Sequence, residues 1–240
     1  MQIGLIGYGR MGKTIEQMAI SRGHQICAII NSEEDWTNQQ KNIAEADVVI
    51  EFTSPEAAYQ NLNQLMDMGK VVICGTTGWL ERMPYIIDKC LKNKTAFLYS
   101  SNFSIGVNIL FEMNKQMAKW MSHIKGFNIN LTEWHHIHKI DSPSGTAVTL
   151  LNDIIQYHQN FTEWMLVNNQ TAPPNCIPVN AVREGEIFGI HQIQYQSEND
   201  LLTIRHEALN RHGFASGALL AAEWIIGRQG VFTMKDVLKM

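Results

Sequence analysis

Between Glu133 and Asp141, nine residues hold three of the chain's nine histidines, one lysine and two carboxylates: Glu133, His135, His136, His138, Lys139 and Asp141. Ser142, Pro143, Ser144, Gly145 and Thr146 follow. From Ala147 the run Ala-Val-Thr-Leu-Leu-Asn-Asp-Ile-Ile reads as a helix, with Ser142 as the expected N-cap and Pro143 as the expected first helical residue. A proline also biases the residue before it towards extended backbone, so the preceding segment is strand or loop. Titratable side chains then lie beside the positive end of a helix, whose free N–H groups suit an anion. The chemistry this favours is a cationic, proton-donating pocket for a carboxylate.

Two other readings stay open at this point, a metal cluster and a solvated polar strand. Zinc sites take His-x-x-x-His on a helix, or Cys/His pairs. Neither occurs in this stretch, and Lys139 would repel a divalent cation, so no metal is expected. If the strand persists, His135 and Ile137 point one way while His136 and His138 point the other. Only some of the histidines can then face a ligand, unless the chain bends.

A second chemical signal opens the chain. Gln2–Ile6 is a short apolar strand, and Gly7, Tyr8, Gly9, Arg10, Met11 and Gly12 follow before a helical run from Lys13. This is Gly-x-Gly-x-x-Gly in strand–turn–helix context, where the first glycine turns the chain. Gly9 lets the backbone approach a pyrophosphate, and Gly12 lets helix and strand pack closely. The second strand, Gln25–Ile30, ends at Asn31, where an NAD site usually has an acid for the ribose hydroxyls. Ser32, Glu33, Glu34 and Asp35 follow, and no lysine or arginine is placed there to receive a 2′-phosphate. The electrostatics lean towards NADH, although Arg10 in the glycine turn leaves NADPH open.

The elements that position these residues alternate. Further strands are expected at residues 46–51, 70–74 and 95–99. Ser54 and Pro55 open a helix after the first of them, and any helix between the second and third strands is abbreviated. The acidic run at Glu33 to Asp35 reads as a solvated turn. Such alternation means a doubly wound parallel sheet, whose ligands gather at the carboxyl ends of the strands. Those ends carry the glycine turn, Thr53, Gly75, Thr76, Thr77 and Gly78, and Ser100, Ser101, Asn102 and Phe103.

The later chain has a different character. A long helix is expected over residues 104–121 and a strand over 126–133, before the histidine stretch and its helix. Residues 157–178 read as an irregular loop carrying Pro173 and Pro174, and strands are expected at 179–183, 187–194 and 201–207. These give a second α+β domain with an open mixed or antiparallel sheet, read as mostly antiparallel. A strong helix over 214–226 packs back on the first domain.

Composition bounds the rest. The 240 residues are 45% apolar and 18% charged, enough for a sizeable core. A net charge of −4 argues against nucleic acid as a partner. Cys27, Cys74, Cys90 and Cys176 are scattered with no C-x-x-C, as expected of reduced thiols in a cytoplasmic protein. No signal peptide and no membrane-spanning run are expected.

Residues 133–147, Glu-Trp-His-His-Ile-His-Lys-Ile-Asp-Ser-Pro-Ser-Gly-Thr-Ala, closely resemble the signature of the dihydrodipicolinate reductases. These are now called 4-hydroxy-tetrahydrodipicolinate reductases, of lysine and diaminopimelate biosynthesis. The resemblance extends to the glycine turn, to Glu51-Phe-Thr-Ser-Pro-Glu56, to Gly75-Thr-Thr-Gly78 and to Ser100-Ser-Asn-Phe-Ser-Ile-Gly106. Val182-Arg-Glu-Gly-Glu-Ile-Phe-Gly189 and Met234-Lys-Asp-Val-Leu238 also fit, so it covers most of the chain in order. It implies a Rossmann-like α/β fold and NAD(P)H-dependent reduction of a cyclic imine dicarboxylate to tetrahydrodipicolinate.

By that resemblance His135 is the proton donor or acceptor, and Lys139 is a second proton donor that also holds the substrate. His136 contacts a substrate carboxylate, and Gly145 and Thr146, after Ser144, bind another at the helix terminus. Cofactor residues are Gly7 to Gly12, Gly75 to Thr77 and Ser100 to Phe103, with Asn31 after the second strand. Residues 1–103 and 214–240 are then the dinucleotide-binding domain, and 104–213 the substrate-binding and oligomerisation domain of a homotetramer. The chain departs from the family pattern in a glycine turn one residue shorter than Gly-x-Gly-Gly-Arg-Met-Gly, and in Asn31 where the family usually has an acid. It is also shorter than many members, mainly between the second and third strands. Another two-domain NAD(P)-dependent amino-acid dehydrogenase would share the glycine turn but not the His-His-x-His-Lys run. A dinucleotide sensor without catalysis is the alternative from a different class.

Overall fold

The computed structural model describes residues 1–167 and 171–240, which form two compact units. The first comprises Met1–Ile105 and Arg211–Met240, the second Gly106–Asn210.

In the first unit, β1 (Gln2–Ile6), β2 (Gln25–Ile30), β3 (Val48–Glu51), β4 (Val72–Cys74) and β5 (Ala96–Tyr99) are all parallel. They alternate with α1 (Arg10–Ser21), α2 (Glu33–Glu45), α3 (Pro55–Asp67) and α4 (Met83–Lys92). The pleat divides each strand between two cores. Ile3, Leu5, Ile50, Ile73 and Leu98 belong to one, and Ile6, Val49, Val72 and Phe97 to the other. Apolar side chains on both faces are what a sheet wound by helices on both sides requires. The chain returns through α7 (His212–Ile225), β11 (Gly230–Phe232) and α8 (Met234–Leu238), giving the order β11-β5-β4-β3-β1-β2. The parallel Rossmann-like sheet read from the sequence is therefore present.

One expectation is overturned here. The link from β2 to β3 is not an abbreviated helix after a solvated turn, because α2 runs for 13 residues from Glu33. Ser32 caps it, accepting from the Asp35 N–H at 3.2 Å. Glu33, Glu34 and Asp35 form its first turn, where carboxylates complement the helix dipole. Only Ile43 is fully buried along it, so the helix carries too thin an apolar stripe to show as periodicity.

The second unit begins one residue into α5 (Ile105–Met121), which precedes β6 (Asn128–His135), and α6 (Gly145–Tyr157) leads to β7 (Glu163–Leu166) and β8 (Cys176–Arg183). A tight turn then joins β9 (Ile190–Gln196) to β10 (Leu201–Glu207). The strand order is β10-β9-β6-β8-β7. Two neighbouring pairs are antiparallel and two parallel, rather than mostly antiparallel. Passage through α6 carries the chain back to run the same way as β6, as helical crossovers do. The irregular-loop reading of 157–178 is corrected too, since β7 and the start of β8 fall inside it. Residues 168–170, also within that reading, lie outside the described residues.

Ile129, Leu131, Ile177, Val179, Ile193 and Tyr195 bury one face of this sheet against Leu110, Ala118, Leu150 and Ile154 of α5 and α6. No helix among the described residues is long and apolar enough to cross a membrane.

Candidate active site

Along β6 the core-facing positions read Ile129, Leu131, Glu133 and His135, so the apolar stripe turns ionisable at the strand's end. Glu133 is fully buried, and such a carboxylate is tolerable only with its lone pairs satisfied. Three elements satisfy them. The Ser144 N–H is shared between Oε1 at 3.0 Å and Oε2 at 3.1 Å, and the Ser144 hydroxyl donates to Oε2. Arg183 Nη2, from β8, donates to Oε1 at 3.0 Å. His191, opposite Glu133 on β9, places Nε2 3.0 Å from Ser144 Oγ and 3.6 Å from Glu133 Oε2. Burial alone would raise this carboxyl, but the neighbouring His191 and the hydrogen bonds from Ser144 and Arg183, with the field of His135, hold it at about 2.

His135 follows on the same face, with Nδ1 3.7 Å from Glu133 Oε2 and its ring edge-on to His191 at 5.1 Å. Burial lowers its pKa to about 4: the pull of Glu133 is opposed by the positive fields of His191, Lys139 and Arg183. Before ligand binds, the ring is therefore neutral at pH 7. Gly189 leaves it room, for a Cβ there would stand 3.1 Å from His135 Nε2.

β6 stops at His135, and the chain bends at once, with the His136 N–H bonded to Ile187 O at 2.8 Å. The strict alternation of the histidines is thereby broken. His136 is half-buried with its ring 5.9 Å from that of His138, and exposed His138 lies 3.2 Å from Glu186. Lys139 is half-buried and bonds both Asp141 oxygens, at 2.7 and 2.9 Å. The helix cap is Ser144, not Ser142: its hydroxyl accepts from the Ala147 N–H at 3.2 Å, and α6 begins at Gly145. Anchored to Glu133 through its own N–H, Ser144 fixes where the helix starts. The two serines flank one proline, so spacing alone could not separate them. Gly145 and Thr146 are the first two helical residues, and a Cβ on Gly145 would meet open space.

Glu133, His135 and His191 bring ligand atoms within 4.8 Å of one another. The carboxylate is already occupied by Ser144 and Arg183, whose guanidinium is a resident positive charge. A guanidinium already bonded to the carboxylate opposes a divalent cation there.

In the first unit, a cavity of about 710 Å³ opens at the carboxyl ends of β1, β2 and β3. Gly7, Tyr8, Gly9 and Asn31 line it, as do Glu33, Trp36, Thr53 and Asn61. The glycines fit a dinucleotide's phosphates for separate steric reasons. Gly7 has φ +91° and a Cβ there would collide with the Phe52 carbonyl, while a Cβ on Gly12 would collide with Gly7 O. At Gly9 a Cβ would meet nothing within 4 Å, so the backbone is open to an approaching phosphate. Asn31 Oδ1 accepts from the Tyr8 N–H at 2.9 Å and so ties β2 to the glycine turn. Arg10 and Met11 begin α1, with Arg10 exposed.

The other expected cofactor residues are not in this cavity's wall. Gly75, Thr76 and Thr77 follow β4; Thr76 is buried, its Oγ1 accepting from the Thr53 N–H at 2.7 Å. Ser100, Ser101 and Asn102 follow β5, and Phe103 is core, its ring 5.7 Å from that of Phe52.

Sequence reasoning assigned no role to Glu133, Arg183, His191, Trp36 or Asn61. Glu133 and Arg183 did lie inside quoted motifs, the one available signal. Trp36, whose Nε1 donates to Asn61 Oδ1 at 3.1 Å, fell in a stretch read as a turn and a short link.

Residues 1–103 match the family described as "Dihydrodipicolinate reductase, N-terminus", and residues 106–238 match "Dihydrodipicolinate reductase, C-terminus". The 4-hydroxy-tetrahydrodipicolinate reductase of Christiangramia forsetii is 41% identical over 238 residues, 99% of this chain and 98% of that protein. Its counterpart from Rickettsia bellii is 32% identical over 242 residues, 100% of this chain and 95% of that one. Among solved structures, the dipicolinate-bound dihydrodipicolinate reductase from Paenisporosarcina sp. TG-14 has a TM-score of 0.78 at 19% identity, over 97% of each chain. At that identity the likeness speaks for the fold.

Proposed function

The chain belongs to the dihydrodipicolinate reductase family, and from that premise we propose how its residues carry out the reduction to tetrahydrodipicolinate. It is an NAD(P)H-dependent oxidoreductase, the 4-hydroxy-tetrahydrodipicolinate reductase of diaminopimelate and lysine biosynthesis. The nicotinamide supplies a hydride when bound. The protein must supply a proton beside the carbon that receives it, and must hold a ring carrying two carboxylates.

His135 delivers the proton. Lys139 leaves its pairing with Asp141 to hold one carboxylate, with His136 beside it. Ser144, Gly145 and Thr146 present the amino end of α6 to the other, where backbone N–H groups and the helix dipole favour an anion. The observation that carries this reading is the grouping of a buried imidazole, a lysine and a helix terminus at the end of β6. In the first unit, Gly7, Tyr8, Gly9, Arg10, Met11, Gly12 and Asn31 hold the dinucleotide, together with the turns at Gly75, Thr76 and Thr77 and at Ser100, Ser101, Asn102 and Phe103.

NADH is the favoured cofactor. The residues lining the cavity include Glu33 and no lysine or arginine, which disfavours a 2′-phosphate. The enzyme works in the cytoplasm, in keeping with its four free cysteines. It assembles as a homotetramer through the second sheet, whose face away from α5 and α6 carries Asn130, Thr132, Trp134, Gln194 and Thr203 in adjacent rows.

Titrating NADH and NADPH, each with and without pyridine-2,6-dicarboxylate, tests the reading. An enzyme with this pocket forms a ternary complex and binds NADH more tightly when the dicarboxylate is present. A protein that binds NADH but is indifferent to the dicarboxylate is a sensor, and the proposal fails.

A further inference from the structure

Glu133 has been given no ligand to touch, yet Ser144 and Arg183 bond it directly and His135 and His191 lie 3.7 and 3.6 Å from it. Hydrogen-bond accounting fixes the direction of the network around it. Ser144 Oγ has one proton and two lone pairs. It accepts from the Ala147 N–H at 3.2 Å, so its proton and one lone pair serve Glu133 Oε2 and His191 Nε2. A carboxylate can only accept, so the proton goes to Glu133 and His191 carries its own proton on Nε2. Every bond on Glu133 then points inward, from α6, β8 and, through Ser144, β9. The carboxylate is rigid and charged, Oε2 taking the Ser144 hydroxyl and only a share of the Ser144 N–H, which is split between the two oxygens at 3.0 and 3.1 Å.

Oε2 is also near the ring of His135, whereas His191, 3.6 Å away, already has Ser144 Oγ as its partner. The Nδ1 of His135 is buried, has no hydrogen-bond partner among the described residues, and lies 3.7 Å from Oε2. A buried ring nitrogen bearing a proton needs an acceptor, and closing that gap by less than about 1 Å makes a charge-assisted hydrogen bond. We infer that Glu133 is the positioning residue of the proton donor: it holds the proton of His135 Nδ1, so that Nε2 is the atom that delivers to substrate. This rests on the reading of His135 as donor. In the step, the Nε2–H bond breaks and a C–H bond forms, the N–H electron pair stays on Nε2, and a neutral Nδ1–H ring remains against Glu133. The other groups facing the pair are Arg183 from β8, His191 from β9 with His206 beyond it on β10, and Lys139 with Asp141 from the connecting turn.

A double-mutant cycle separates positioning from plain structural support. Glu133→Gln should lower kcat about 100-fold or more and move the alkaline limb of its pH profile to lower pH, because the imidazolium has lost its counter-charge. In a His135→Gln background the same change should cost less than about threefold. Glu133→Asp, which keeps the charge, should recover part of the loss. Equal losses in both backgrounds, or a uniform drop with the limb unmoved, would overturn the inference. If Glu133→Gln does not fold, ¹⁵N NMR of the wild-type protein decides: neutral His135 should carry its proton on Nδ1, and an Nε2–H tautomer would contradict the assignment. Should His135→Gln itself turn over normally, the donor role has failed rather than the positioning one.

Discussion

The two units solve different recognition problems with different materials. The cavity proposed for the dinucleotide depends on backbone shape at its glycine turn, where a Cβ on Gly7 would strike a carbonyl and Gly9 leaves the backbone open. The site at the end of β6 is made of side chains and charge, centred on a carboxylate that no solvent touches. Backbone shape is encoded over a few consecutive residues. A buried charge network is assembled across strands, from Glu133, Arg183 and His191, which are far apart in the chain and adjacent only in the sheet. Local motifs should therefore report the first kind of site more fully than the second.

Substitutions can break that contrast. The largest effect is expected at the backbone site: Gly7→Val puts a side chain into the Phe52 carbonyl at φ +91°, and no rotamer relieves it. Loss of NADH binding, followed by fluorescence titration, is the expected outcome, with thermal unfolding showing whether the first unit survives. Retained affinity would mean that backbone fit does not govern this cavity. At the charge site, His135→Gln should cost about 10²–10⁴ in kcat while the fold and dicarboxylate binding are kept. Near-wild-type turnover would remove His135 from its role.

A smaller effect sharpens the comparison through pH. The folded-state pKa of His135, about 4, lies below its ordinary value of 6.5. Between those values the unfolded chain binds a proton that the folded chain does not, so stability is lost as pH falls from 6.5 through 4. The contribution is about 3 kcal/mol in order of magnitude. Glu133 acts in the same direction at lower pH, its stabilisation being lost as pH falls from 4.5 through about 2. Denaturant unfolding between pH 4 and 7 should show the loss, and His135→Gln should flatten the upper part of it. An unchanged slope in that variant would mean that the ring is not held neutral by its surroundings.

The legibility of the chain follows the same division. Strands β1 and β2 were readable to the residue because their apolar runs end at glycine and asparagine. The glycine turn, His135 and Lys139 were readable because their spacing is local. Helix α2 was not, since it is held by a serine cap and a dipole rather than by an apolar face. The Ser144 cap depends on Glu133, eleven residues earlier, and the short strand β7 forms only by pairing with β8. Asn31 was marked for its position at the ribose, but its bond to the Tyr8 N–H depends on β1 and β2 lying side by side.

Under the proposed chemistry, the neutral, buried imidazole of His135 becomes a proton donor only when a dianion arrives. Calorimetry of pyridine-2,6-dicarboxylate binding to the NADH complex at pH 7, in buffers of different ionisation enthalpy, measures that directly. Uptake approaching one proton per site is expected, and it should vanish in His135→Gln. Binding heats that do not depend on the buffer, or an uptake unchanged in the variant, would contradict the assignment of His135 as the proton donor.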